Sequence, residues 1–416
     1  MAEGAVARPA VVVMGTLDTK REPLLFLARE VAVAGCRVLL LDVSASGEAV
    51  LPQSVSAEYI EPAPSSEVRE IRSLPRGEAV ARMSNAAAAR VARLVATGEA
   101  QGVVGVGGSG GTTICASAMR ELPYGFPKVL VSTLASGNTR VHLGISDIVM
   151  VPSIVDVAGL NPLLAMVLGN AARAIAAMVM GHRPYAPSGK PVAGMTMYGT
   201  TTPGVSRTAE LLEEAGIEAW IFHASGVGGQ SMERLISQGW IHGTVDMTLA
   251  EIGAHLVGGL HDGGPARLEA AGARGLPQVV VPGAADTIVL PPRDQVPERF
   301  RSRTLNFHNP TMTTMRTTPP ENVEIARFIA RKLNGSRGPV VVVLPLGGLS
   351  SIDRPGKIFF EPTANRALFD TLRAELSPSI RLVEDDRHID DPGFAARVAE
   401  EFTSLMRLRG APREQP

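Results

Sequence analysis

Short runs of β-branched residues recur along this chain, each followed by a stretch of helical periodicity. Ala10-Val-Val-Val-Met14 leads to a helical pattern over Glu22 to Ala34, and that leads to Arg37-Val-Leu-Leu-Leu-Asp42. Successive strands joined through a helix run parallel, and a parallel sheet needs helices on both faces to shield it from water. The same grammar continues through an alanine-rich helix over Gly77 to Gly98, strands at Gly102 to Val106, Lys128 to Ser132 and Ile148 to Val151, and a helix near Pro162 to Met180. A Pro/Ser-rich stretch from Pro52 to Pro75 interrupts it once. Gly181-His-Arg-Pro-Tyr-Ala-Pro-Ser-Gly-Lys-Pro191 then breaks both helix and strand.

After that break the pattern starts again. Pro191 to Thr200 runs like Pro9 to Thr16, a strand ending in Gly-Thr. Each is followed by a helix ending in Ala-Gly (Ala34-Gly35 and Ala215-Gly216) and by a strand closing on Ala-Ser-Gly (Ala45-Ser46-Gly47 and Ala224-Ser225-Gly226). Lys128 to Thr133 and Pro277 to Gly283 extend the parallel. The expected fold is α/β, with two Rossmann-like doubly wound parallel-sheet domains forming an internal pseudo-repeat. Domain 1 is expected over residues 1–182, a linker over 183–190 and domain 2 over 191–416. The second domain adds a late strand, Pro339 to Leu344, and helices at Thr363 to Glu375 and Pro392 to Leu408.

Composition narrows the function. A hydrophobic share of 45% over 416 residues supports a large core, while 40 basic against 41 acidic side chains leave no field to gather nucleic acid. Aromatic residues, at 4%, are too few for base-stacking platforms, so no nucleic-acid partner is expected. Cys36 and Cys115 provide neither a disulfide framework nor a thiolate metal cluster, which fits a reducing cytoplasm. Met1 to Pro9 lacks the basic start and apolar core of a signal peptide. Leu160 to Met180 is interrupted by Asn161, Pro162, Asn170 and Arg173, so it reads as a buried or half-buried helix, with no membrane partner expected.

The sharpest motif is Gly105-Val-Gly-Gly-Ser-Gly-Gly-Thr-Thr113, between a strand and a helix. Its glycines Gly107, Gly108, Gly110 and Gly111 let backbone N–H groups converge on an anion at a helix start, with Ser109 and Thr112 as hydroxyl donors. The plainer reading is a tight turn that needs glycine. Gly107, Ser109 and Gly111 also have nucleophile-elbow spacing, which makes Ser109 a candidate nucleophile if a histidine such as His142, His223 or His308 reaches it. Gly15-Thr-Leu-Asp-Thr-Lys20 places Thr16, Asp18 and Lys20 at the first helix start, either as phosphate and Mg²⁺ contacts or as an N-cap. Asp42 ends the second strand, where an acid can accept from ribose hydroxyls or cap a loop.

In the second domain, small and hydroxyl-bearing strand ends recur at Gly199-Thr200, Ser225-Gly226, Asp246 and Asp286, and they point to a ligand cleft between the domains. Asp246 is a second candidate Mg²⁺ contact. Asn306 to Glu321 reads as one loop offering His308, Arg316 and Thr317 for phosphate or carboxylate recognition, although Thr318 to Glu321 also has capping-box spacing. The other histidines are scattered without ligand spacing, so no certain metal site is expected.

In order and spacing, Gly15 to Lys20, Gly107 to Thr112, Ser132-Thr-Leu-Ala-Ser136-Gly137, Thr201-Thr-Pro203, Phe222 to Gly226, His308-Asn-Pro310 and Met315 to Pro319 resemble the family named after the tomato mosaic virus resistance protein. The resemblance runs from about Val11 to Leu408. It implies two Rossmann-like subdomains, binding of ATP or a related nucleotide, and a homodimer. It also implies a separate barrel-domain partner, because the plant protein carries a further barrel that is lacking here. Ser136 and Gly137 join the nucleotide contacts on this ground. The chain departs from the family at Gly204 and Gly347, which offer no side chain for chemistry. The leading expectation is a nucleotide-binding protein with phosphoryl or nucleotidyl transfer on a small metabolite. The alternatives are a hydrolase or lyase acting on a small carboxylate or acyl substrate through Ser109 or a histidine such as His308, and a non-catalytic dimer stabilised by nucleotide.

Overall fold

A computed structural model describes residues 8–47 and 57–410, with side chains through Leu408. The readings of the first seven residues and of residues 52–56 lie outside the described residues. The chain divides into two compact units between Ala186 and Pro187.

Unit 1 runs β1 (Ala10–Gly15), α1 (Arg21–Val33), β2 (Arg37–Asp42), β3 (Glu58–Ile60), α2 (Ser65–Ser73), α3 (Arg76–Ala96), β4 (Gly102–Gly107), α4 (Ser109–Arg120), β5 (Lys128–Ser132), α5 (Arg140–Leu143), β6 (Val149–Pro152) and α6 (Pro162–Met180). Its six strands are all parallel, in the order β3-β2-β1-β4-β5-β6. Strand alternation sorts β1 between two cores: Val12 and Met14 pack with Met83, Val91 and Cys115, while Val11 and Val13 pack with Leu24, Leu27, Leu168 and Ile175. Among the described residues α6 is the one helix long and apolar enough to cross a membrane. Its Leu164, Leu168, Ala172 and Ile175 are instead spent on the second of these cores.

Unit 2 runs β7 (Val192–Met197), α7 (Thr202–Glu214), β8 (Glu218–His223), α8 (Val227–Gln238), β9 (Gly243–Asp246), α9 (Ala250–Val257), α10 (Ala270–Ala273), β10 (Gln278–Val280), β11 (Thr287–Leu290), β12 (Leu305–Asn309), β13 (Met312–Arg316), α11 (Pro319–Asn334), β14 (Val340–Pro345), α12 (Pro362–Glu375), β15 (Arg381–Asp385) and α13 (Pro392–Gly410). Its main sheet is also parallel, in the order β15-β14-β10-β9-β7-β8. Five strands of each unit superpose in topology: β2-β1-β4-β5-β6 corresponds to β8-β7-β9-β10-β14. Unit 1 adds β3 at one edge and unit 2 adds β15 at the other.

The stretch read as a loop around His308 and Arg316 is a hairpin. β12 and β13 pair antiparallel and join β11 in a small three-stranded sheet. Met315 anchors it against Ile288, Leu290, Val296 and Phe300, and the neighbouring threonines are β-branched residues that suit a pleat. The spacing from Thr318 to Glu321 is realised as a capping box at the start of α11, each side chain bonding the other's backbone N–H.

Candidate functional site

In an open doubly wound sheet, ligands bind beyond the carboxyl ends of the strands, where neighbouring connections leave to opposite faces. In unit 1 that point lies between β1 and β4. A cavity of about 640 Å³ opens there, lined by the residues following β1, β2, β4, β5 and β6 and by the start of α3. Gly108, Ser109, Gly110 and Gly111 form one wall, at the amino end of α4, which no side chain caps. Gly107 lies behind this wall, and a Cβ there would sit 2.5 Å from the Thr112 amide nitrogen, so the turn requires glycine. Thr112 is turned inward to bond Ser132 Oγ at 2.6 Å. The first turn of a twelve-residue helix thus presents its N–H groups and positive dipole end to the cavity.

Facing it are Thr16, Asp18, Thr19 and Lys20 from the β1 loop. Lys20 Nζ stands 3.7 Å from the Asp156 carboxylate, while Asp18 accepts from Ser46 Oγ at 3.0 Å. Arg76, at the start of α3, is exposed, and its guanidinium makes no ion pair among the described residues. Ile154 closes the β6 side. It is 70% exposed and holds φ at +66°, a strained conformation for a β-branched residue. Val80, Ile114 and Leu134 supply the remaining apolar wall. Sequence reasoning missed Arg76 and the Ile154 to Asp156 segment, for neither carries a motif and only the strand order brings them here.

Of the residues singled out in the sequence, the cavity gathers Thr16, Asp18, Lys20, Gly108, Ser109, Gly110, Gly111 and Ser136. Gly15 packs under Leu24, and Gly137 is exposed in the turn after Ser136. Asp42 is fully buried beneath the floor, where it accepts from Leu17 N–H, Ser44 N–H, Ser44 Oγ and Arg72. It holds loops together and offers nothing to a ribose. Among the described residues no histidine lines the cavity beside Ser109. His308 is exposed on β12 of unit 2, and His223 stacks on Tyr198 at 5.4 Å.

The corresponding strand ends of unit 2 are differently occupied. Gly226 and Gly229, at the start of α8, donate their N–H groups to the buried carboxylate of Glu251 at 2.6 and 3.0 Å. Glu251 is held by Arg267 Nε at 2.7 Å, and the same guanidinium grips Asp246 with two nitrogens, at 2.9 and 3.1 Å, and Glu233 at 3.1 Å. Asp246, a candidate Mg²⁺ contact from sequence, is therefore committed to an internal ion pair. Ser225 and Gly199-Thr200 form the turns after β8 and β7. Arg316 is buried, spending its donors on the carbonyl oxygens of Phe359, Glu361 and Thr317, on Thr317 Oγ1 and on Asn365. In this backbone a Cβ at Gly204 would collide with the Ile389 carbonyl and one at Gly347 with the His388 amide, so neither position has room for a side chain. Among the described residues no group of three His, Cys, Asp or Glu is placed to hold a metal ion.

Asp286 is fully buried, accepting from Ser350 Oγ at 2.7 Å. Burial pushes its carboxyl up to about 6, against the pull of Arg316 and helped by the neighbouring Asp353 carboxylate. The native state therefore keeps a proton that the unfolded chain loses from about pH 4 upward. The stability this group provides is complete at acid pH and is lost as pH rises through about 6. Asp286→Asn is expected to melt several degrees above the parent at pH 8 and level with it at pH 4; equal melting temperatures at pH 8 would refute the shift.

The fold and site define a two-unit, Rossmann-like α/β protein with an uncapped glycine turn opening into a cavity in its first unit. The chain belongs to the uncharacterised protein family UPF0261: the model of that family's N-terminal domain matches residues 9–184 and that of its C-terminal domain residues 190–406. A UPF0261 protein of Clostridium tetani is 42% identical over 95% of this chain and 98% of its own length. The tomato mosaic virus (ToMV) resistance protein Tm-1(GCR237) of Solanum lycopersicum is 36% identical over 97% of this chain but only 57% of its own length. Among solved structures, a Streptomyces glycosyltransferase, SsfS6, complexed with thymidine diphosphate, aligns over 97% of this chain and 100% of its own at 14% identity. Its TM-score of 0.21 is too low to bear on fold or function.

Proposed function

We propose that unit 1 binds ATP or a related nucleotide, together with Mg²⁺, in the cavity between the ends of β1 and β4. The observation that carries this reading is the uncapped glycine turn of α4 opening into that cavity opposite two cationic side chains. The phosphates lie against the amides of Gly108 to Gly111, with Lys20 and Arg76 neutralising their charge. Asp18 and Asp156 are the carboxylates available for Mg²⁺ or ribose hydroxyls, and Val80, Ile114, Leu134 and Ile154 give the base an apolar wall. A site built from fixed dipoles and cations suits phosphoryl or nucleotidyl transfer to a small metabolite, chemistry that depends on positioning and charge stabilisation. The same proposal takes the protein to be a cytoplasmic homodimer.

The test is a thermal-shift titration with ATP, ADP and AMP, with and without Mg²⁺. A ligand at a hundredfold its Kd stabilises the native state by about 2.7 kcal/mol. Gly110→Asp is informative because a Cβ there meets no atom nearer than 3.8 Å, so the fold survives while a carboxylate enters the phosphate site. The ATP shift is expected to vanish in Gly110→Asp and to shrink in Arg76→Ala. No shift for the parent protein at millimolar ATP would sink the proposal.

A further inference from the structure

Helix α6 turns Leu164, Leu168, Ala172 and Ile175 into the core of unit 1, and its opposite side is exposed. A helix side that faces water is normally charged or polar. On the neighbouring helix α1 the exposed positions are Arg21, Glu22, Arg29 and Val33, which fits that rule. On α6 they include Leu163, Met166, Asn170, Arg173, Ala177 and Met180, with one charge among the six. Met166 and Met180 are 57% and 58% exposed.

These six positions are spaced alternately by three and four residues, the spacing of a narrow coiled-coil seam. Reversed against itself about a two-fold axis between Ala171 and Ala172, the seam meets a second copy in register. Leu163 then faces the partner's Met180, Met166 faces the partner's Ala177, and Asn170 faces the partner's Arg173. The layers match long apolar with long apolar, large with small, and amide with guanidinium. Within one chain Arg173 Nη2 already donates to Asn170 Oδ1 at 2.7 Å, so the amide oxygen is turned to receive a guanidinium. Arg173 Nη1 and Glu30 Oε2 lie 3.3 and 3.6 Å from the place of a Cβ on Gly169. A carboxylate near each guanidinium lowers the cost of bringing two copies of Arg173 together. A lipid surface would take Asn170 and Arg173 into the middle of an apolar stripe with nothing to pair them, whereas a second copy pairs both.

We propose that the exposed seam of α6 is a docking surface for a second copy of this chain, packed antiparallel about a two-fold axis. The inference names the contact face of the homodimer taken up above and rests on that reading; it does not depend on nucleotide binding in unit 1. The central pair of Asn170 and the partner's Arg173 fixes the register, at a cost in affinity that a wholly apolar seam would not bear.

Met166→Cys combined with Ala177→Cys tests the register in the full chain, since Cys36 and Cys115 are both buried. Along one helix the two positions are about 16 Å apart, and so are the two copies of position 166 in the antiparallel pair, whereas across the pair each engineered site meets the other. A short bis-maleimide is expected to join the chains of the double variant and to leave Met166→Cys alone unlinked. Met166→Glu changes an exposed position and spares the fold, but it would bury an unpaired carboxylate in the seam. Sedimentation equilibrium is expected to show its dimer dissociating at least about tenfold more readily than the parent's. A dimeric parent whose double variant does not crosslink, or whose association is unchanged by Met166→Glu, overturns this inference and leaves the dimer reading standing. Crosslinking of Met166→Cys alone as efficiently as the double variant makes the pairing parallel and overturns it too. A parent that stays monomeric at its highest soluble concentration removes both readings, and binding of that monomer to anionic vesicles, lost in Met166→Glu, would give the seam to lipid instead.

Discussion

Replacing Arg267 by alanine is expected to destabilise unit 2 by roughly 3–5 kcal/mol, the usual cost of stripping one partner from a buried ionic group. The guanidinium is fully buried and is the common partner of Asp246, Glu251 and Glu233. Its removal leaves three largely buried carboxylates without their shared counter-ion. Burial already raises the Glu233 carboxyl, with Arg267 pulling it back down. In the variant that restraint is gone, so the carboxylates regain stability only by taking up protons. The deficit should therefore narrow as pH falls toward 5. Arg267→Lys is expected to recover little, since one ammonium cannot span Asp246 with two bonds and reach Glu251 as well. Urea unfolding of the three proteins at pH 8 and pH 5 gives the comparison, and a variant within about 1 kcal/mol of the parent at pH 8 would show that the network is not holding unit 2 together.

The second large effect belongs to Asp42. Its side chain is inaccessible, and four donors converge on it: two backbone amides, one hydroxyl and Arg72 at 2.8 Å. Asp42→Ala orphans all four, and because the Arg72 side chain retains 16% exposure the expected loss is at the low end for a buried pair, about 3 kcal/mol. One of those amides belongs to Leu17, in the loop that carries Asp18 and Lys20 into the unit 1 cavity. The substitution should therefore reduce the nucleotide-induced shift in melting temperature as well as stability itself. Asp42→Asn keeps an acceptor for Leu17 and Ser44 but turns a donor toward Arg72, so it should fall between the two. A full nucleotide response in Asp42→Ala would disconnect this carboxylate from the cavity.

Much of the fold was legible because its signals are local. Alternation in β1 between Val11, Val13 and Val12, Met14 is a property of the strand alone, and the break at 183–190 needs only proline and glycine. The glycine turn of α4 was legible for the same reason. What was not legible depends on partners distant along the chain. Asp42, Asp246 and Arg316 carry the residue types of a ligand site, but Arg72, Arg267 and Asn365 claim them from 30, 21 and 49 positions away. The hairpin of β12 and β13 was hidden because β13, Met-Thr-Thr-Met-Arg, has no apolar alternation and buries threonine and arginine beside Met315, while β12 alternates only Leu305 and Phe307 and leaves its outer half exposed. Arg76 and Ile154 reach the cavity through strand order, which no local pattern encodes.

The carboxylate of Glu251 sits on the amides of α8 much as a bound anion would, but it is tethered to the chain. A tethered partner has an effective concentration fixed by the fold and cannot be diluted away. Unit 2 is thus saturated at this position whatever the solution contains, while the open glycine turn of α4 in unit 1, on the proposed function, would answer to the concentration of a free ligand. In an unfolding experiment that resolves both units, ligand at the glycine turn would move one transition and leave the other where it stands.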